Sequence, residues 1–264
     1  MSVADKLQTI QNIKENIKTA INNKGGNVGD DFTQYSTAID GLSTGGGTQN
    51  LVIDNNNGIK LCYSKFTEIP DYITFSPDIT DMSIMFAYCS NLTTIPLIHT
   101  SNVINMKECF RACNSLQTIP MLDTSKVTTM ESCFQNCYNL QTIPSIDTSN
   151  VTNMNLMFFM SDKLISLPTL NAAKVTKITY YFSNYSLENL TDVGGWIGLK
   201  INWNDNNGLV KCPNLTYQSC INILNGLADV TELGSRTLKV HQNFLNLVGD
   251  EISIGTSKNW VITA

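Results

Sequence analysis

Residues 106–129 read MKECFRACNSLQTIPMLDTSKVTT, and residues 130–153 read MESCFQNCYNLQTIPSIDTSNVTN. The second segment repeats the first with a period of 24, and the repeat extends in both directions. Prolines fall at Pro96, Pro120, Pro144 and Pro168, each preceded by Ile or Leu, with Pro70 one slightly longer step earlier. Phe86, Phe110, Phe134, Phe158 and Phe182 form a second column, and Met82, Met106, Met130 and Met154 a third, continued by Ile178. Val103, Val127, Val151 and Val175 align, as do Leu92, Leu116, Leu140 and Leu164. Cys89, Cys113 and Cys137 continue as Ser161 and Tyr185. A fixed period of this length marks a repeat architecture, in which a single unit cannot bury its apolar side and stacked copies can.

Each unit reads as a short helix followed by extended chain. Met106, Cys109, Phe110 and Cys113 fall at i, i+3, i+4 and i+7, the spacing of one helical face. Pro120 then disfavours helix at Ile119, so Leu116–Pro120 is expected to be extended. Asp123-Thr124-Ser125 is a polar turn whose side chains cap nearby backbone groups, and Val127-Thr128 leads into the next unit. The expected fold is an α/β repeat solenoid built of 24-residue units, with parallel strands about 4.7–4.9 Å apart and a core of side-chain ladders. Phe86, Phe110, Phe134 and Phe158 should form one ladder, and Cys89, Cys113 and Cys137 another.

The pattern F-x-x-C-x-x-L-x-x-I-P-x-L-D-T-S-x-V-T-x-M, from Phe110 to Met130, resembles the BspA-like leucine-rich repeats of bacterial surface proteins. The resemblance covers roughly residues 58–190 and implies a leucine-rich-repeat stack that binds instead of catalysing. It decays in the fifth copy, where Ala172-Ala173 replaces Thr-Ser and Tyr185 replaces Cys. Residues 48–80, with Leu51-Val-Ile, the turn Asn55-Asn-Asn-Gly58 and Ile59-Lys-Leu, read as a hairpin capping the N-terminal edge of the stack. Residues 81–190 are the regular repeats. Gly194-Gly195-Trp196 breaks the period, and residues 191–264 read as irregular final turns and a cap. There we expect a helix over Tyr217–Leu227, a strand over Thr237–Val240, a helix near Gly249–Ser257 and closure by Trp260. Leu215 to Leu227 is similar to the C-terminal segment of such repeat proteins in gut Bacteroides and their phages.

Residues 1–47 read as a separate small helical module. Val3, Leu7, Ile10, Ile17 and Ile21 form an apolar seam, Phe32, Tyr35, Ile39 and Leu42 a short second pattern, and Ser43–Thr48 a Gly-rich linker. So small a core is stable only against copies of itself or another protein, and a trimer is the expected assembly. Ile17 to Leu42 is similar to a segment found near the start of phage tail and fibre proteins. The first 21 residues carry no basic segment followed by a continuous apolar run, so a cleaved leader is not expected.

Composition narrows the function. The chain has 264 residues, 15% of them charged, a net charge of −5 and two arginines, which argues against a nucleic-acid partner. No apolar run reaches the roughly 20 residues that span a bilayer, so membrane insertion is not expected. Catalytic parts are scarce: His99 stands in a turn position otherwise held by Asp123, Asp147 and Asn171, and His241 has no Ser or Cys elbow nearby. A glycan hydrolase would need two carboxylates facing across a cleft, and no isolated pair stands out. The cysteines lack zinc-type turn spacing, and the Asp column looks like turn capping more than a calcium cage. The sequence therefore points to no catalytic residue, cofactor or metal.

What remains is recognition. The exposed strand positions Thr93, Thr94, Gln117, Thr118, Gln141 and Thr142, continued by Ile165-Ser166, should form one contiguous surface. The expected protein is a non-enzymatic phage virion component, a head or tail fibre or decoration. Residues 1–47 would hold it to another virion protein while the repeat body meets a host-surface glycan or protein. The alternative is a bacterial cell-surface or secreted adhesin.

Overall fold

The structure, a computed structural model, describes residues 51–56, 59–71, 73–182, 187–201 and 209–264. The expected N-terminal module at 1–47, the turn residue Gly58 and Tyr185 lie outside the described residues.

Successive 24-residue segments are joined by parallel backbone pairing. Asp81 pairs with Asn105, Asn105 with Thr129, Thr129 with Asn153, and Asn153 with Lys177. Because like residues meet at every step, the core consists of columns. Phe86, Phe110 and Phe134 each stack on the next Phe, with ring planes within 8° and centroids 5.4–5.5 Å apart. Phe158 follows Phe134 and meets Phe182 at 6.3 Å, and Trp196 closes the row edge-on against Tyr181 and Phe182. Phe75 abuts the other end, 5.8 Å from Phe86. Each such aromatic pair contributes about 0.5–1.5 kcal/mol beyond its buried area.

The short helix expected in every unit is not formed. Residues 106–113 are a chain of turns in which alternate N–H groups go to different places. Cys109, Arg111 and Cys113 donate back to the carbonyls of Met106, Glu108 and Phe110. Met106, Glu108, Phe110 and Ala112 donate instead to Thr129, Glu131, Cys133 and Gln135 in the next segment, at 2.8–3.1 Å. To aim these donors sideways, two residues per unit take left-handed backbone: Ile84, Glu108, Ser132, Leu156 and Tyr180 in one column, Tyr88, Ala112, Asn136 and Met160 in the other. Their φ values lie between 51° and 62°, and none is glycine. Such a conformation costs an L-residue roughly 1–2 kcal/mol, and the sideways hydrogen bonds offset it. A helix would have turned its paired N–H groups back within the unit and left the next coil unpaired. Met106, Cys109, Phe110 and Cys113 are nonetheless all buried, because the turn ribbon shares with the helix an inward period near four.

Strand pairing elsewhere is short. β1 (Leu51–Ile53) pairs in parallel with β2 (Ile73–Phe75). The hairpin expected over residues 48–80 is therefore replaced by another coil, in which Leu61 and Tyr63 donate to Met85 and Ala87 of the next. β3 (Ser166–Leu167) and β4 (Leu170–Asn171) pair in parallel with β5 (Asp192–Val193) and β6 (Trp196–Ile197). Gly195, at φ 90°, sits where a Cβ would meet the carbonyl oxygen of Asn222 at 2.5 Å, so the break in period marks the close approach of a helix.

That helix, α1 (Tyr217–Gly226), is capped by Thr216, whose side chain accepts from Ser219 N. β7 (Arg236–Lys239) begins one residue before the expected strand. The next helix starts earlier than expected: α2 (Gln242–Val248) runs into a 3-10 turn at Gly249–Ile252 and a single turn, α3 (Ser253–Thr256). The reason is His241, whose Nδ1 accepts from Asn243 N at 3.1 Å and caps α2. β8 (Trp260–Thr263) pairs in parallel with β7, and the buried Trp260 donates from Nε1 to Ala228 O at 2.9 Å.

Ala112→Gly separates turn ribbon from helix. In a helix the change costs about 1 kcal/mol, whereas at φ 58° relief of strain offsets the entropy of glycine. Urea denaturation should show Ala112→Gly equal to or more stable than the parent, and a loss near 1 kcal/mol would restore the helix.

Candidate recognition surface

Between the fixed columns, the polar side chains divide into those that tie one coil to the next and those that do not. The cysteine column ties. Cys113 Sγ donates to Phe86 O at 3.1 Å and Cys137 Sγ to Phe110 O at 3.0 Å. Ser161 makes the same bond with its hydroxyl to Phe134 O at 2.7 Å. Cys89 donates to Leu61 O and lies 3.2 Å from the hydroxyl of Ser64, the preceding member of the column. Phe110 O thus accepts from both Cys113 N and Cys137 Sγ, which uses both lone pairs in a dry environment. Cys and Ser alternate in this column because both donate. Burial pushes the Cys137 thiol up to about 12 and the Cys89 thiol up to about 11. All eight cysteines are free thiols, and the described residues hold no group of three or more His, Cys, Asp or Glu placed to bind a metal.

Asparagine and lysine tie the outer corners. Asn139 Nδ2 donates to Asn114 O at 2.6 Å, Asn150 Nδ2 to Ser125 O at 2.7 Å, and Asn214 Nδ2 to Glu188 O at 2.9 Å. Lys126, Lys163 and Lys174 reach back one coil to the side-chain oxygens of Asn102, Asn139 and Asn150. The chain's 31 asparagines are accounted for in part by this work, since an amide donates to one coil while accepting from the other. Thr124 and Thr148 are buried and donate across to Asp147 O and Asn171 O. The Asp column caps turns: Asp123 and Asp147 accept from the N–H of Ser125 and Ser149, and Asn171 does the same for Ala173.

The positions singled out for recognition lie on the extended side of each coil. Thr93, Thr94, Gln117 and Thr118 are exposed, and Gln141 and Thr142 are half-buried. Gln141 N donates to Gln117 O, Ile165 N to Gln141 O, and Thr191 N to Ile165 O, which draws these residues into one line across neighbouring coils. Thr118 and Thr142 stand with hydroxyls 3.4 Å apart. Thr93 is partly committed, because its hydroxyl as well as its N–H donates to Thr67 O. His99, on the same side, is exposed.

Two features escaped the sequence reading. One is a second threonine ladder, in which Thr128, Thr152 and Thr176 donate through both N–H and hydroxyl to the carbonyls of Ile104, Thr128 and Thr152. Its signal was the Val-Thr dipeptide at Val127, Val151 and Val175, read only as a lead into the next unit. The other is an outer stack of Tyr63 on Tyr88, centroids 4.6 Å apart, with Arg111 over Tyr88 and paired to Glu108 at 2.7 Å. Tyr63 is separated from Tyr88 by 25 residues, one off the period, which hid the pair.

Residues 78–196, a little under half of the chain, match the model of a family described as Mycoplasma protein of unknown function, DUF285. The match spans the regular coils from the Asp81 bridge to Trp196. No curated protein and no solved structure matches the chain. Among the described residues no helix is long and apolar enough to cross a membrane.

The thiols give the surface-independent test. Raised thiol pKa values favour the neutral form in the fold, so this contribution is complete below the unfolded value near 9 and is lost as pH rises toward 11–12. Cys137→Ser should match the parent in urea stability at pH 7 and lose less between pH 9 and 11. Cys137→Ala, which leaves the second lone pair of Phe110 O without a donor, should lose about 1–2 kcal/mol at pH 7. Equal stability of the Ala and Ser variants would remove the donor role.

Proposed function

We propose that the chain is a non-enzymatic recognition protein whose coils form a leucine-rich-repeat solenoid. The observation that carries this reading is the division of labour among polar side chains. Cys, Asn, Lys and buried Thr are spent on bonds between coils, whereas Thr94 and Gln117 are exposed on the extended side, and Thr118, also exposed, is engaged only with Thr142 and Ile119 O. A stack of this kind supplies a surface that lengthens by one row per repeat.

The carrier of this body, in our reading, is a bacteriophage particle. The chain serves there as a head or tail fibre or decoration, trimeric through residues 1–47, which also join it to another virion protein. The repeat body then faces a host-surface glycan or protein. Support comes from the similarity of Ile17–Leu42 to a segment near the start of phage tail and fibre proteins, and of Leu215–Leu227 to the C-terminal segment of repeat proteins in gut Bacteroides and their phages. The second reading, a bacterial cell-surface or secreted adhesin, is favoured by the family match, since that family is described from a bacterium.

Mass spectrometry of purified particles distinguishes the two. The virion reading expects peptides from both ends of the chain at a stoichiometry in multiples of three. Absence from particles, together with recovery from the bacterial envelope fraction, would replace it with the adhesin reading.

A further inference from the structure

The recognition side is built from six segments, residues 67–71, 93–99, 117–123, 141–147, 165–171 and 191–197. They carry Glu68, Asp71, Asp123, Asp147 and Asp192 and not one Lys or Arg. All five carboxylates are exposed. Among the described residues, the ion pairs are Lys60–Asp81, Lys107–Glu131 and Arg111–Glu108, so none of the five is neutralised by one. Lys126, the cation nearest Asp123 in sequence, donates to Asn102 Oδ1 without forming an ion pair with Asp123, although its charge is felt by that carboxylate.

The fold favours the ionised form at Asp123, where the Ser125 hydroxyl and N–H and the Lys126 charge hold the carboxyl below its usual value, but the turn cap itself does not require a carboxylate. Asp123 and Asp147 occupy one column in adjacent coils, and like charges so placed repel. Each accepts the N–H two residues on, at 3.0 and 2.8 Å, yet the uncharged Asn171 performs the same task for Ala173 at 3.0 Å. The cap needs an oxygen and not a charge. The same side also exposes Leu97, 76% accessible, and Met121, 67% accessible, the two most exposed large apolar residues among those described. They share a column and follow Pro96 and Pro120 in adjacent coils. Side chains so exposed add little to the core and leave their apolar surface open to contact.

We propose that this side docks a basic protein surface, an apolar anchor seated on Leu97 and Met121 and flanked by Lys or Arg facing Asp123 and Asp147. The proposal rests on the recognition reading above and narrows it from a glycan or protein to a cationic protein partner. Among the described residues of these segments no Phe, Tyr or Trp is exposed to stack against a sugar ring, and His99 is the exposed aromatic side chain. The carboxylates steer the approach and the apolar pair supplies the anchor, so affinity should fall as salt rises.

A fluorescein-labelled 12-residue peptide of alternating Lys and Leu, titrated into the full chain by anisotropy, tests this. Asp123→Asn with Asp147→Asn keeps the turn caps, as Asn171 shows, and should weaken binding about fivefold. Leu97→Ser with Met121→Ser should weaken it by a similar factor. Glu232→Gln with Asp250→Asn, which makes the same change of net charge away from this side, should leave it unchanged. Equal weakening by that control pair, or no effect of the first two pairs, would overturn the proposal. Competition of the peptide by a neutral oligosaccharide would also overturn it, while leaving a recognition role for the surface intact.

Discussion

The N–H of Phe110 donates to the carbonyl of Cys133, and the N–H of Phe134 to that of Met157, each one coil away. The rest of the molecule depends on this sideways bond. A backbone donor buried next to the core must be paired, and here the partner lies in the following coil. Left-handed backbone at two columns of non-glycine residues is the consequence, because only that geometry turns alternate N–H groups out of the unit. The fixed offset then places every side chain over its equivalent, so the phenylalanines stack, the methionines and valines align, and any residue type that works once works in every row.

Register of this kind constrains the polar residues as strongly as the apolar ones. A carbonyl left over in one coil recurs in the next, and the same side chain answers it each time. The thiols of Cys113 and Cys137 answer the Phe carbonyls, and the amides of Asn139 and Asn150 answer those of Asn114 and Ser125. Where a column has little such duty its residues vary: Leu97, Met121, Ser145 and Thr169 share one position, and there Thr169 ties to the next coil by donating to Gly194 O.

The period, the buried columns and the capping role of Asp123 and Asp147 were legible in the residues, because each depends on spacing or on local chemistry. The backbone of the Met106–Cys113 segment was not. Inward spacing at i, i+3, i+4 and i+7 is common to a helix and to a ribbon of turns, and no glycine marks the left-handed positions. Donor and acceptor bookkeeping between coils would have been needed to tell them apart. The apparent hairpin at residues 48–80 failed for a related reason: two short β-prone runs with a turn between them read as antiparallel neighbours, whereas β1 finds its partner 22 residues on, in parallel. Of the candidate surface, the line of Thr and Gln positions was visible from the period. Its charge asymmetry emerged only once all six segments were seen on one side.

Cross-linking between coils tests the central claim most directly. Thr128 and Thr152 are exposed, and Thr152 donates to Thr128 O, so their Cα atoms sit one coil apart, within disulfide reach. With Thr128→Cys and Thr152→Cys together, mild oxidation should give an intrachain disulfide linking those peptides in a mass spectrum, whereas Thr128→Cys with Thr176→Cys, two coils apart, should give none. A failure of the first pair to close, or equal closure of the second, would contradict a stack held in 24-residue register.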